Sequence, residues 1–307
     1  MNGRPDLARD PPRRAAGAGR PGEGMASVKA KVGKSIVVVG AVLGAFATSR
    51  AAHSQALQTW RSLQPGIVYA LVKAPTDAGL SADIHIHVVR IDPAKAPLEA
   101  AMVGREGGEP RTAAEWCRTH NLAVAINMGM YREDRRTNSG HAHAPGYVNN
   151  ARWIGAYKSA LGFGPLKADA PPAMMADLDQ DGDRARLSNY GTVVQNLRLI
   201  RSPGRGVWAK QERRWSEAAV ALDKQGRVLF VFCRDPYSMK ELIDVLLSLP
   251  LGITAAMHVE GGPEASLSIH AGGVDLDLNG SYESGFNEND MEQRQWPIPN
   301  VLGARRR

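Results

Sequence analysis

Trp215-Ser216-Glu217-Ala218-Ala219-Val220-Ala221-Leu222-Asp223-Lys224-Gln225-Gly226-Arg227-Val228-Leu229-Phe230-Val231-Phe232-Cys233-Arg234-Asp235 is the stretch that decides the fold. Ala218 to Leu222 and Val228 to Cys233 are short apolar runs parted at Gly226, which reads as strand, turn, strand. Ser238 to Leu249 then repeats its apolar residues at helical spacing, and Ala255 to Val259 returns to strand.

Upstream the same alternation appears. Gly66 to Val72 and Ile84 to Ile91 read as strands, the second closed by Asp92-Pro93. Thr112, with Glu115 three residues later, marks a helix start, and Leu122 to Ile126 forms the next strand before a turn at Asn127. Strand, helix and strand in this order predict an α/β (α+β) architecture, a mixed β-sheet with helices packed against it in a single domain. The 140 to 190 stretch is loop-rich and is expected to lie over the site.

The first 56 residues carry their own message. From Met25, Lys29, Lys31 and Lys34 precede an apolar run from Ile36 to Ala47 and small residues ending Ser54-Gln55-Ala56, the layout of a signal peptide. The apolar run is about 12 residues, short of the roughly 20 that span a bilayer, so no stable membrane span is expected. Residues 1–24 are Arg-, Pro- and Gly-rich and read as a disordered extension or a misassigned start; residues 25–56 read as the leader and 57–307 as the domain. The expected location is secreted or periplasmic.

The net charge of +7 is concentrated at the ends: residues 1–56 hold nine of the 38 Lys and Arg but three of the 31 Asp and Glu. The remainder is near neutral and has no clustered basic face interleaved with aromatics, so nucleic acid is not an expected partner. Cys117 and Cys233 are the only cysteines; export permits a disulfide, while their apolar contexts favour buried thiols.

Three polar segments follow apolar strands, where α/β folds place their sites. Asn127-Met128-Gly129-Met130-Tyr131 offers an amide and flexible backbone. Cys233-Arg234-Asp235, with Ser238 opening a helix, offers a fixed cation and free N–H groups suited to phosphate. Glu260-Gly261-Gly262-Pro263-Glu264-Ala265-Ser266 sets two carboxylates four residues apart around glycines. Taken singly, each has a plainer reading as a turn, a structural ion pair or a geometric glycine.

The joint order of Asn127-x-Gly129-x-Tyr131, then Arg234 before a Ser-led helix, then Glu260-Gly261-Gly262 resembles the phosphodiester glycosidase family from about Ile84 to Gly303. The family pattern is roughly Asn-Gly-Gly-Tyr/Phe-Phe, Asp-Gly-Arg, and Leu-Asp-Gly-Gly-Gly-Ser. Here Glu260 replaces Asp, Pro263-Glu264 replaces Gly-Ser, Met128 replaces Gly, and Cys233 precedes the Arg in place of Gly. The resemblance implies hydrolysis of a sugar-1-phosphodiester in a glycan or envelope polymer.

That chemistry suits the residue types, because glycoside cleavage is usually run by two carboxyl groups and a phosphate leaving group needs a cation. The expected roles are Glu260 as base or nucleophile, Arg234 on the phosphate, Asn127 on sugar or phosphate, and Glu264 as second carboxylate or support. Gly129, Tyr131, Ser238, Gly261, Gly262 and Ser266 are the expected substrate-binding positions. The alternative is a non-catalytic exported module binding a glycan or polyanion, for which the Glu at 260 is the motivating departure.

No cofactor is required by this chemistry. Asp177-Leu178-Asp179-Gln180-Asp181-Gly182-Asp183 matches the first half of a calcium loop, making a structural calcium on Asp177, Asp179 and Asp181 the one metal expectation, although position twelve is Ser188 rather than Glu. His141 and His143 share one side of an extended segment but have no assured third ligand.

Overall fold

The computed structural model describes residues 59–74 and 84–307, so the leader read over residues 25–56 and the segment before it lie outside the described residues. The strands are β1 (Arg61–Gln64), β2 (Ile67–Lys73), β3 (His85–Ile91), β4 (Leu98–Met102), β5 (Leu122–Asn127), β6 (Ala142–Ala144), β7 (Tyr147–Asn150), β8 (Ser159–Pro165) and β9 (Ala173–Asp177). They continue as β10 (Tyr190–Arg201), β11 (Arg205–Gly206), β12 (Trp215–Asp223), β13 (Val228–Tyr237), β14 (Ile253–Gly261), β15 (Ser266–Ala271), β16 (Val274–Asn279) and β17 (Asn300–Arg305). The helices are α1 (Val103–Glu106), α2 (Ala113–His120), α3 (Asp183–Arg186) and α4 (Met239–Ser248).

Both longer helices begin at capping boxes. Thr112 Oγ1 accepts from Glu115 N while the Glu115 carboxylate accepts from Thr112 N, and Ser238 with Glu241 repeats the arrangement at α4. Each box satisfies N–H groups that the first turn leaves without helical partners.

The strands form two sheets. The larger runs β1-β2-β3-β13-β12-β14-β10-β6-β7, with β8 and β11 also on β10 and β9 on β8; the smaller runs β16-β15-β5-β17-β4. Every registered pairing among the described residues is antiparallel, which corrects the expectation of a mixed sheet.

The reason lies in where the crossovers land. β13, α4 and β14 form a strand–helix–strand unit, but β12 sits between the two strands and is antiparallel to both. β4, α2 and β5 do the same around β17. Each helical crossover skips one slot, and an antiparallel strand fills it.

Four layers result. The faces of the two sheets that meet bury Val89, Ile91, Val220, Phe230, Phe232, Met257 and Val259 of the larger against Val124, Ile126, Leu267, Ile269 and Leu302 of the smaller. The outer face of the larger sheet buries Ala221, Leu229, Val231 and Cys233 under Leu242, Ile243, Val245 and Leu246 of α4. The outer face of the smaller sheet buries Ala125 and Val301 under Trp116 and Cys117 of α2. The helices that do pack are therefore one to a face, fewer than a helix-covered mixed sheet would carry.

This layering also settles the cysteines. Cys117 and Cys233 are free and buried in opposite outer layers, with both sheets between them. Burial raises both thiols, Cys117 to about 12, so neither is a thiolate near neutrality. Among the described residues, no helix is long and apolar enough to cross a membrane.

Candidate active site

The three strand ends singled out above lie at one end of the sandwich. β14 ends in Glu260-Gly261, and the chain turns through the 3-10 segment Gly262–Glu264 into β15 of the other sheet. This turn is thus one of the places where the chain passes from one sheet to the other. Glu260 is 3% exposed, and its Oε1 accepts from Gly261 N at 3.2 Å. A bulge sets Ala218 opposite Glu260 and Ala219 opposite His258, so an extra residue, Val259, fits into β14 just before the carboxylate.

Asn127 grips the turn from the smaller sheet. Its Nδ2 donates to Glu264 O at 2.9 Å and its Oδ1 accepts from Ser266 N at 2.7 Å. Both bonds are to backbone, and the side chain is 1% exposed. Ser266 is likewise buried, its hydroxyl donating to Glu264 O at 3.1 Å.

Arg234 reaches the same turn through Ser216 and Gly280. Ser216 Oγ donates to Arg234 O at 2.5 Å and accepts from Ser281 N and Tyr282 N; Gly280 N donates to Ala265 O at 2.8 Å. Arg234 Nη1 donates to Asn279 O at 2.8 Å. Gly262 adopts φ +64, and an added Cβ there would lie 2.5 Å from Glu283 Oε2. A Cβ on Gly280 would strike the Gly262 carbonyl.

Ser238 is buried, with its hydroxyl engaged as the α4 N-cap. Tyr131 is half-buried, bridged to Asn138 and packed at the edge of the α2 layer. Gly129 lies against the amides of Asn196 and Asn138, and Asn196 Nδ2 donates to Met128 O at 3.0 Å. Gly261 packs on the indole of Trp215.

The acidic turn is neutralised by basic side chains. Asp177 pairs with Arg198 and Arg201, and Asp179 with Arg198 and Lys158, while Asp181 is exposed. Asp183 accepts from Asp177 N at 2.9 Å. These contacts turn the carboxylates toward guanidinium and ammonium partners, and among the described residues no group of three or more His, Cys, Asp or Glu could hold a metal ion. His141 and His143 contact one another at 3.0 Å, with His141 stacked on Trp153.

Sequence reasoning missed two features. Glu217 and His258 form a buried pair at 2.6 Å, with Trp215 Nε1 donating to Glu217 at 2.8 Å. Burial pushes the Glu217 carboxyl up, against the pull of His258. The signal was a lone acid and a lone His, each inside an apolar strand. The second is the segment 281–296, which brings Asp290 onto Arg234: Nε and Nη2 both meet Asp290 Oδ1 at 2.7 Å.

The family model for phosphodiester glycosidases matches residues 120–305. The fold resembles the zebrafish N-acetylglucosamine-1-phosphodiester alpha-N-acetylglucosaminidase catalytic domain, auto-inhibited by pro-peptide, with TM-score 0.57, 15% identity, and coverage of 80% of this chain and 84% of that one. A hypothetical protein from Synechocystis aligns with TM-score 0.54, 13% identity, and coverage of 79% and 63%. No curated protein sequence matches the chain.

Proposed function

The chain belongs to the phosphodiester glycosidase family, and from that premise we propose that it is an exported hydrolase cleaving a sugar-1-phosphodiester in a glycan or envelope polymer. The observation that carries this reading is the joining of Glu260, Asn127 and Arg234 through one turn. Asn127 holds the turn from the smaller sheet, and Ser216 with Gly280 ties it to Arg234 in the larger.

In the proposed reaction water adds to the anomeric carbon and the bond from that carbon to the phosphate oxygen breaks, releasing a phosphomonoester. Glu260 takes the water's proton, or attacks the anomeric carbon itself to form a glycosyl-enzyme that water then resolves. Arg234 neutralises the phosphate as negative charge develops on its leaving oxygen, through a planar fork suited to two phosphate oxygens. Glu264, four residues on and 8% exposed, is the second carboxylate. Asn127 positions the turn and does not touch substrate. The leader over residues 25–56 supports work outside the cytoplasm, in the secreted or periplasmic space.

A panel of sugar-1-phosphodiesters assayed with wild type and Glu260→Gln tests the reading. The expected result is turnover of at least one substrate by wild type and a loss of about 100-fold or more in folded Glu260→Gln. Full activity in that variant would remove Glu260 from the mechanism. Binding without turnover by wild type would favour a non-catalytic glycan-binding module.

A further inference from the structure

The segment after β16 crosses the site as a strap. It is anchored by its own contacts: Ser281 Oγ donates to Asn289 O at 2.9 Å, Glu292 N donates to Ser281 Oγ at 3.2 Å, and Asn287 Nδ2 donates to Ser281 O at 2.9 Å. Asn279 Nδ2 and Trp296 Nε1 hold Glu292 from either side, at 3.0 and 2.8 Å. None of these contacts uses the Asp290 carboxylate. Asp290 is 74% exposed at its side chain, yet both Nε and Nη2 of Arg234 converge on its Oδ1.

Nε donates to that oxygen at 2.7 Å and Nη2 lies 2.7 Å from it, and this Nε/Nη2 edge is the one a guanidinium offers to an oxyanion. The guanidinium plane is fixed by backbone carbonyls: Nη1 donates to Asn279 O at 2.8 Å, and Nη2 to Glu292 O at 2.8 Å and to Asp290 O at 3.3 Å. An exposed carboxylate gives only a weak ion pair, so a phosphate of equal or greater charge can displace it.

We propose that Asp290 stands in for the substrate's phosphate on Arg234 and competes with it, so that it sets the site's affinity for anionic substrates. This rests on the reading of Arg234 as the phosphate-binding cation. A neutral ligand gains nothing at this edge, because the guanidinium already holds a carboxylate. A phosphodiester replaces Asp290 and leaves the Ser281 and Glu292 anchors in place.

The test is binding of inorganic phosphate to the full chain by calorimetry, at fixed low salt, for wild type, Asp290→Asn, Arg234→Gln and the double variant. Asp290→Asn is expected to bind phosphate about fivefold tighter than wild type, and adding Arg234→Gln is expected to abolish the gain. Because the anchors do not involve the carboxylate, Asp290→Asn is expected to melt within about a degree of wild type, in keeping with a surface change. Affinity for phosphate within twofold of wild type in Asp290→Asn, with Arg234→Gln still abolishing binding, overturns the competition and leaves the Arg234 reading standing. Phosphate binding that is indifferent to Arg234→Gln overturns that reading and the inference together.

Discussion

Asn127 completes with its side chain a ladder that its backbone cannot reach: β5 pairs with β15 as far as Ile126 and Leu267, and the next contact is Ser266 N donating to Asn127 Oδ1 at 2.7 Å. The backbone of Asn127 faces the other way, toward Val301 of β17. One residue therefore ties three neighbouring strands at the point where the chain turns between sheets.

Asn127→Ala is accordingly expected to cost about 2–4 kcal/mol, since it strands a buried carbonyl and a buried N–H. Asn127→Asp, nearly isosteric, is expected to destabilise as well, because a carboxylate cannot donate to Glu264 O and is buried in its place. Urea titration measures both. A loss below about 0.5 kcal/mol in each variant would show that the turn holds without this side chain.

The turn itself depends on two glycines. Gly262→Ala combines a positive φ with a contact on the Glu283 carboxylate, and is expected to cost about 1–3 kcal/mol. Adding Glu283→Ala should recover only the contact part. Gly280→Ala meets the Gly262 carbonyl, which is backbone, so no side-chain deletion is expected to rescue it. Thermal melts of the two single variants and the Gly262→Ala/Glu283→Ala double decide this.

His87 provides a pH dependence. It is stacked beside Tyr69, whose hydroxyl meets Nδ1 at 2.9 Å, and edge-on to Phe232. Burial, with a smaller contribution from the His85 charge, lowers its pKa from 6.5 to about 4. The folded protein thus resists a proton that the unfolded chain accepts. Stability is full above pH 6.5, falls as pH drops from 6.5 toward about 4, and levels off below, with a loss of at most about 3 kcal/mol. The melting temperature of His87→Gln between pH 7 and 4.5 should fall less than that of wild type; parallel profiles would exclude His87 as the source.

Much of the local structure was legible because it depends on local residues. β13, α4 and β14 lie where the apolar runs and the Ser238 cap put them, and Thr112 begins α2. What the periodicities do not encode is which strands become neighbours. β12 and β17 enter their slots through pairings between distant segments, so the expectation of a mixed sheet failed while its elements were present. The 140–190 stretch reads as loop because β6 to β9 are short and broken by Gly and Pro, yet it adds strands to the larger sheet.

What could be read of the candidate site was polar residues following apolar runs, and the structure ties Asn127, Arg234 and Glu260 to one turn, although β13 continues past Arg234 to Tyr237. Ser238 has the same signature but serves the helix, since a serine before a helix is first of all an N-cap. Glu217 and His258 escaped notice because their chemistry appears only as a pair across two strands. Asp290 lies in an irregular acidic segment, where nothing in the sequence points to Arg234.

The position of β17 between β4 and β5 bears on how quickly the molecule can assemble. Leu98 must find Ala304, and Val124 must find the same strand from its other side, before the smaller sheet is continuous. Closing loops of that span is entropically costly and is rewarded only once the partners meet, so slow, late completion of this sheet is expected. Until then β5 offers an unpaired apolar edge, and the Asn127 grip on the Glu260 turn has no firm support. The half-assembled chain is therefore the form most exposed to aggregation, and the Glu260 turn should become ordered with the last folding phase.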